Sequence, residues 1–311
     1  MFSLHNNNVL KKERKNIRFR KTIKESSIAE GVGLHSGENT KLIFHPAEEN
    51  TGIVFRTGKK NSFVKMIPAT LEFVMDTSMA VTLGRNQVYI QTIEHLMYAI
   101  YVLGITDMII ELIGGSEIPI LDGSAYPYVQ ILENCEFHEY STAVNPIEIK
   151  KPLMVTDGDR YIVGIPANDL KISYSIDYNH PMLKNLSCEI TYTKDLFVQH
   201  ISKARTFGFL KDVEILRNKG LAQGGTIENV LVFNKKSTLN KERFLHEALY
   251  HKVLDMMGDL SLCGRPIKGH LLGSKGGHAL DIAFAKKLMK QSREYEQTST
   301  SEESTPIVSV S

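Results

Sequence analysis

The chain has 311 residues, of which 42% are hydrophobic and 23% charged, and its formal net charge is +2. These values permit one or two globular domains with a sizeable core, and they exclude a strong general attraction to nucleic acid or to membranes. The longest apolar run, residues 96–105, is far shorter than the roughly 20 residues that a membrane-spanning helix needs, so we expect no transmembrane segment.

The chain begins with a basic segment and not with the apolar core of a secretory signal. Residues 11–24 hold eight lysines and arginines against one acidic residue, Glu13. Such a run can be an arm that binds nucleic acid or anionic lipid, or less typically a transit peptide, but most often it is a solvated leader. We therefore predict a disordered leader over residues 1–16. The three cysteines are widely spaced without a CxxC pattern, which predicts reduced thiols and a cytoplasmic protein.

The first half of the chain is predicted to form strands and then helices. Residues 21–56 alternate β-branched stretches with Gly, Asn and Pro turns, which predicts strands joined by hairpins. TIEHLMYAIYVLG (92–104) is apolar on nearly all sides, so it is predicted to be a buried helix that Gly104 terminates. A strand (106–115) and a short helix (124–135) are predicted to follow.

The second half is predicted to repeat this order. The charged, turn-rich stretch 135–146 predicts a boundary between a first α+β domain at 17–141 and a second at 146–290. Residues 241–264 are the longest helix candidate, and the Ser/Thr/Glu-rich tail, 291–311, is predicted to be disordered. Because strands precede helices in each half, the predicted fold class is α+β.

HEALYH (246–251) comes within one residue of the HExxH signature of zinc peptidases. In that signature the two histidines are four residues apart, whereas His246 and His251 are five apart and would point about 140° away from each other on a helix. They cannot bind one ion from a regular helix, so a metallopeptidase is disfavoured. His246 and Glu247 are predicted to be surface residues.

His251 does share a helix face with Asp255, and Asp259 lies one turn further along. Apolar residues occupy the opposite side of this helix. Taken alone, the polar stripe is either a solvated face, which is the more common case, or part of a metal site. A third ligand would have to come from another element.

Two other segments carry residues suited to metal chemistry. Glu94 and His95 open the buried helix, where the helix N-terminus would keep His95 neutral and Glu94 could accept a proton from water. His278 follows two glycines in KGGH and could act as a general acid if Asp259 held it protonated. Each segment is weak evidence alone, because a first turn or a cap is an ordinary place for such residues.

Eight segments occur in the order found in a single known family. They are EGVGLHSG (30–37), TIEHL (92–96), EIPILDGSAYPY (117–128), ARTFGF (204–209), GLAQGG (220–225), HKVLDMMGDL (251–260), GRPIKGH (264–270) and SKGGHAL (274–280). Together they resemble the UDP-3-O-acyl-N-acetylglucosamine deacetylase (LpxC) family of zinc amidases in lipid A synthesis. The resemblance covers nearly all of the chain between the leader and the tail.

The resemblance implies a zinc site and an acid–base pair. The family's Zn²⁺ ligands fall on His95, His251 and Asp255, a set that leaves open the position that a catalytic zinc requires. The general base falls on Glu94 and the general acid on His278.

The resemblance also implies supporting residues. Asp259 matches the carboxylate that bonds to the general acid, Thr206 matches the hydroxyl that stabilises the oxyanion, and Lys252 matches a lysine near the active site. Four further residues are candidates for binding the substrate: Phe207, Arg160, His180 and Lys275.

The implied enzyme hydrolyses the N-acetyl group of UDP-3-O-(3-hydroxyacyl)-N-acetylglucosamine and releases acetate. Its implied fold has two similar domains, each a β-sheet packed on helices, with the helix layers facing each other and the active site between them. The acyl chain is expected in an apolar passage around residues 205–233. We expect a monomer that binds this amphiphilic substrate and no nucleic acid. The alternative is a catalytically silent homologue that only binds the nucleotide sugar.

Overall fold

The protein is described by a computed structural model over residues 18–57 and 65–303. The fold is α+β, as the sequence predicts, and the predicted leader at 1–16 lies outside the described residues. None of the helices in these ranges is both long and apolar enough to cross a membrane. The helices are α1 (Glu94–Leu103), α2 (Tyr126–Glu133), α3 (Lys194–Gln199), α4 (Leu210–Asn218), α5 (Glu247–Leu260) and α6 (His278–Glu303).

The strands form two large mixed sheets and three small ones. In chain order they are β1 (Arg18–Ile23), β2 (Ser27–Val32), β3 (Asn39–His45), β4 (Ile53–Thr57), β5 (Lys65–Pro68), β6 (Val74–Asp76), β7 (Thr82–Arg85), β8 (Val88–Ile90), β9 (Met108–Gly114), β10 (Phe137–Val144), β11 (Ile147–Glu148), β12 (Leu153–Asp157), β13 (Arg160–Ile165), β14 (Leu170–Ile176), β15 (Leu186–Thr191), β16 (Phe207–Phe209), β17 (Leu231–Phe233) and β18 (Ile267–Ser274). The small sheets are β1–β10, β6–β7–β8 and β16–β17.

The two large sheets have the same strand connectivity. Their orders are β2-β3-β9-β4-β5 and β12-β13-β18-β14-β15, with β11 added beside β18. In each sheet the last strand in sequence, β9 or β18, lies at the centre, antiparallel to one hairpin and parallel to the other. One helix precedes each central strand (α1 or α5) and one follows it (α2 or α6). The two halves are therefore variants of one unit, while the domain boundaries at 141 and 146 stay predictions.

Helix α1 is almost completely buried and packs against α5. It ends at Gly104, which adopts a φ of 69° and donates its N–H to carbonyls of the last turn, a common way to end a helix. The two helices approach closely at Gly258 of α5, where an added Cβ would lie 2.2 Å from the backbone oxygen of Glu94. This close contact between the helices holds the first turn of α1 beside α5.

Replacing Gly258 by alanine is expected to lower the free energy of unfolding by about 1–3 kcal/mol, because the methyl group forces the two helix backbones apart. Denaturant unfolding of the purified variant measures this loss. Gly277→Ala is the control, since a methyl group there meets none of the described heavy atoms within 4 Å. Equal stability of the two variants would contradict the close approach of the helices.

The predicted boundary stretch 135–146 is different in the structure. Most of it, Phe137–Val144, forms β10, which pairs antiparallel with β1. Most side chains of this strand are exposed, and only Phe137, Tyr140 and Val144 are partly buried, because the strand lies at the surface. A solvated strand resembles a charged linker in composition, so the sequence did not show that this stretch is a strand.

Two helix boundaries also differ from the prediction. The helix predicted at 241–264 spans only Glu247–Leu260, because His246 adopts a left-handed φ of 61° before it. The longest helix that the structure describes is α6, which continues to Glu303 through part of the predicted disordered tail. An ion pair of 2.8 Å between Arg265 and Glu296 ties this extension to the rest of the molecule.

Candidate active site

The three predicted metal ligands come together where α1 meets α5. His95 lies in the first turn of α1, and His251 and Asp255 lie one turn apart on α5. The Nε2 atoms of His251 and His95 are 3.2 Å and 3.8 Å from the same oxygen, Oδ1 of Asp255. All three side chains are buried, and together they could hold a metal ion.

The ionisation of this set suits a cation. Burial lowers the pKa of His95 to about 3, helped by the adjacent His251. Burial also lowers the pKa of His251, so at neutral pH both imidazoles are uncharged and each keeps a nitrogen lone pair for a metal. Burial by itself would raise the pKa of Asp255, but the basic side chains around it hold this pKa well below its usual range. The set therefore offers two neutral nitrogens and one anionic oxygen.

The spacing of the donor atoms suits a cation as well. Zinc with bonds of about 2.0 Å in a tetrahedron separates its ligand atoms by about 3.3 Å. The separations of 3.2 Å and 3.8 Å lie close to that value. In addition, Oδ1 of Asp255 is buried without a hydrogen-bond partner in the part of the chain that the structure describes. An unpaired buried carboxylate oxygen is costly, and a bound cation removes that cost.

Neighbouring groups fix the orientation of the ligands. The Nδ1 atom of His251 is 3.0 Å from the backbone oxygen of Ala204. A carbonyl oxygen can only accept, so Nδ1 carries the proton and Nε2 is left to face a metal. Lys252 donates to Oδ2 of Asp255 at 2.7 Å, which leaves Oδ1 on the side of the histidines.

A carboxyl group and an imidazole lie beside the three ligands. Oε1 of Glu94 is 3.8 Å from Nε2 of His278, and Nδ1 of His278 is 2.7 Å from Oδ2 of Asp259. The second oxygen of Glu94 accepts the backbone N–H of Val81 at 3.1 Å, which holds the carboxyl group in place. Burial raises the pKa of Glu94 to about 7, although His278 opposes the shift. A carboxyl group with this pKa can exchange a proton near neutral pH.

These groups open onto a cavity of about 390 Å³. Thr206 and Phe207 are among its lining residues. The remaining walls are largely apolar and come mostly from the segment predicted to build the acyl passage; they include Phe209, Leu210, Val213, Leu216, Ile227, Val230 and Val232. A polar centre with an apolar extension can accommodate an amphiphilic molecule.

The other three predicted substrate-binding residues do not line this cavity as the described residues form it. Arg160 is exposed and pairs with a neighbouring aspartate in its own hairpin. Lys275 pairs with Asp159 at 2.9 Å. His180 is buried, and its Nε2 donates to the backbone oxygen of Asn234 at 3.0 Å. The charges of Arg160 and Lys275 are thus partly neutralised by local carboxylates.

His35 also lines the cavity, although the sequence does not predict it to be a site residue. Its Nδ1 atom is buried and finds no hydrogen-bond partner within the described ranges. Its backbone N–H donates at 2.9 Å to Glu117, a fully buried carboxylate that also accepts the hydroxyl of Thr92 at 2.8 Å. The only hint in the sequence is a histidine in the glycine-rich turn EGVGLHSG.

Glu247 is buried, although the sequence predicts a surface residue. Its side chain is completely buried and pairs with Arg205 at 2.8 Å. The hint in the sequence is its position four residues before His251, which puts both side chains on one face of α5. A glutamate on the functional face of a helix needs a partner when that face is buried.

The fold and the site define a metal-dependent hydrolase, because two neutral histidines and a carboxylate that could hold a metal ion converge beside a further carboxyl group and an imidazole. A profile of the LpxC family, described as UDP-3-O-acyl N-acetylglycosamine deacetylase, matches residues 20–290. The chain belongs to this family, which confirms the resemblance.

Relatives of this chain include proteins named UDP-3-O-acyl-N-acetylglucosamine deacetylase. The protein of Leptospira biflexa is 44% identical over 292 residues, which cover 93% of this chain and 96% of the relative. That of Myxococcus xanthus is 42% identical over 279 residues, 89% of this chain and 88% of the relative. That of Thermodesulfovibrio yellowstonii is 40% identical over 273 residues, 88% and 92% of the two chains.

Proposed function

We propose that the chain is a zinc-dependent deacetylase of lipid A biosynthesis that acts in the cytoplasm as a monomer. Its substrate is UDP-3-O-(3-hydroxyacyl)-N-acetylglucosamine, from which it removes the N-acetyl group as acetate. The observation that carries the proposal is the convergence of His95, His251 and Asp255 beside Glu94 and His278. Membership of the deacetylase family supports the choice of substrate.

His95, His251 and Asp255 would hold the zinc ion through the two Nε2 atoms and Oδ1. A zinc ion held there would supply Lewis-acid chemistry that could polarise the acetamide carbonyl and lower the pKa of water. Lys252 neutralises the second oxygen of Asp255, so that the carboxylate binds through one atom.

The proton transfers fall to Glu94 and His278. The carboxylate of Glu94 accepts a proton from the attacking water, and the hydroxyl of Thr206 donates a hydrogen bond to the oxygen on which negative charge develops. Nε2 of His278 then gives a proton to the departing nitrogen as the C–N bond breaks, with Asp259 holding Nδ1 of the ring. One water and one amide become acetate and a protonated amine.

The apolar part of the cavity is proposed to bind the acyl chain and Phe207 to contact the rest of the substrate. Phe207 lines the cavity next to the proposed metal ligands, with its ring centroid 6.2 Å from that of His251. Arg160 and Lys275 are proposed as diphosphate contacts, which requires them to exchange their carboxylate partners for phosphate oxygens. His180 is proposed to support the part of the cavity that binds the acyl chain, because its ring packs against those of Phe209 and Phe233.

Val213→Phe is expected to raise KM about tenfold or more for a substrate with a long acyl chain and to spare one with a short chain. The ring would fill cavity space that Val213 borders on α4, and losing two buried methylenes, at about 0.8 kcal/mol each, corresponds to about tenfold. Kinetics with two acyl lengths measure the effect. Ile215→Phe is the control on the same helix, because Ile215 is 56% exposed. Equal losses with both chain lengths would place the acyl chain elsewhere.

Acetate release from UDP-3-O-acyl-N-acetylglucosamine, with and without a chelator, tests the proposed function. Release that stops on chelation and returns with Zn²⁺ is the expected result. Tight substrate binding without any release would instead support the catalytically silent homologue, which the intact acid–base pair disfavours. Release that is indifferent to the chelator would refute the metal-dependent reaction.

A further inference from the structure

A buried ion pair joins α5 to the segment that carries Thr206. Glu247, the first residue of α5, accepts three hydrogen bonds from Arg205: from the backbone N–H at 3.0 Å, from Nε at 2.8 Å and from Nη2 at 2.9 Å. The backbone N–H of Arg243 adds a fourth at 2.7 Å. The side chains of Arg205 and Glu247 are only 7% and 0% exposed. Charge-assisted, forked bonds of this kind fix geometry as well as contribute energy.

The residues on either side of Arg205 both contact the candidate active site. The carbonyl of Ala204 accepts from Nδ1 of His251 at 3.0 Å. Thr206 lines the cavity, and its backbone N–H donates to Gly123 of the first half at 2.7 Å. Since Glu247 and His251 are one turn apart on α5, the helix holds this segment at two successive points. Movement of the segment would therefore disturb a metal ligand and the cavity wall together.

We propose that Arg205 and Glu247 are positioning residues of the metal site. Their ion pair holds the Ala204 carbonyl where it orients the ring of His251, and it holds the Thr206 hydroxyl in the cavity. Neither residue contacts the reacting atoms. The inference rests on the proposed function, because it assumes that His251 binds the metal.

Loss of stability alone cannot separate this role from an ordinary structural one, since breaking a buried ion pair destabilises most proteins. Asp107 provides a matched control. It is a fully buried carboxylate that accepts from Nε of Arg20 at 2.9 Å and from the backbone N–H of Gly52 at 2.9 Å. It lies in the first half of the chain and is not among the residues that line the cavity. Asp107→Asn should therefore destabilise the fold without changing the metal site.

The test compares Glu247→Gln, Arg205→Lys and Asp107→Asn in the full chain, each checked for its folded fraction. Zn²⁺ affinity is measured by competition with a chromophoric chelator, and kcat and KM are measured in parallel. Loss of a residue that supports a metal ligand typically weakens metal binding about 10- to 100-fold, and we expect this loss and a lower kcat for Glu247→Gln. Arg205→Lys keeps the positive charge but loses the forked pair of hydrogen bonds, so we expect a smaller loss of Zn²⁺ affinity. If Glu247→Gln does not fold, the result for Arg205→Lys tests the positioning role.

Zn²⁺ affinity in Glu247→Gln and Arg205→Lys equal to that of Asp107→Asn and of the unaltered chain would overturn the positioning role. The unaltered chain in the same experiment tests the proposed function separately. If the unaltered chain binds no Zn²⁺ and releases no acetate, the proposed function fails. If it binds Zn²⁺ and releases acetate while the two variants match it, only this inference fails.

Discussion

Glu94→Gln is expected to leave the bound metal in place and to lower kcat/KM for acetate release by about 10²–10⁴-fold, the usual contribution of a general base. Glutamine has the shape of glutamate, so its amide oxygen can still accept the N–H of Val81, which is 3.1 Å from Oε2 of Glu94. It cannot accept a proton from water, however. The loss should therefore fall on the chemical step, with little change in KM or in metal content.

Metal analysis and a control variant test whether Glu94 is the base. Metal analysis should give the same content before and after the substitution, because Glu94 is not one of the three proposed ligands. Glu111→Gln is a suitable control, since Glu111 lies on β9 in a cluster with Arg56 and His45, outside the cavity. Full activity of Glu94→Gln would remove this residue as the base, and a simultaneous loss of metal would assign it to the ligand set instead.

Spacing alone could predict the polar face of α5, but it could not distinguish a metal site from a solvated face. Residues 251, 255 and 259 recur every four positions, which puts a histidine and two aspartates on one side of a helix. The same spacing extends back to Glu247, but the HExxH pattern groups this glutamate with His246, and both are predicted to lie at the surface once that pattern is excluded. The two residues differ in the structure. The structure explains the difference, because His246 is left-handed and precedes the helix, whereas Glu247 begins it.

Other parts of the site depend on contacts that no local pattern contains. Helix α1 is apolar on nearly all sides, so its sequence does not reveal that Glu94 and His95 meet α5; that contact depends on the absence of a side chain at Gly258. The pairing of Arg205 with Glu247 joins residues 42 positions apart. The shared connectivity of the two large sheets is likewise a property of strand pairing, since the two halves show no sequence repeat that we could align.

His251→Ala is expected to reduce the bound metal from about one ion per chain to a small fraction and to lower activity by at least about 10³-fold, because the metal supplies several kcal/mol of stabilisation to the transition state. Two ligands would remain, His95 and Asp255, and a catalytic zinc ordinarily has three protein ligands. The carbonyl of Ala204 would also lose the imidazole that it orients. Metal analysis after purification without added zinc measures the loss directly.

His246→Ala is the control that separates the two possible meanings of HEALYH. His246 precedes α5 and is partly exposed, so its loss should leave the metal content unchanged even if the fold is slightly less stable. If His246 were the ligand, as in a distorted peptidase motif, the two results would be exchanged. If both variants kept their metal, neither histidine would be a ligand, and the proposed set of His95, His251 and Asp255 would be wrong. If only His251→Ala loses its metal, His251 is a ligand, and His246, the histidine that first suggested a peptidase, is not.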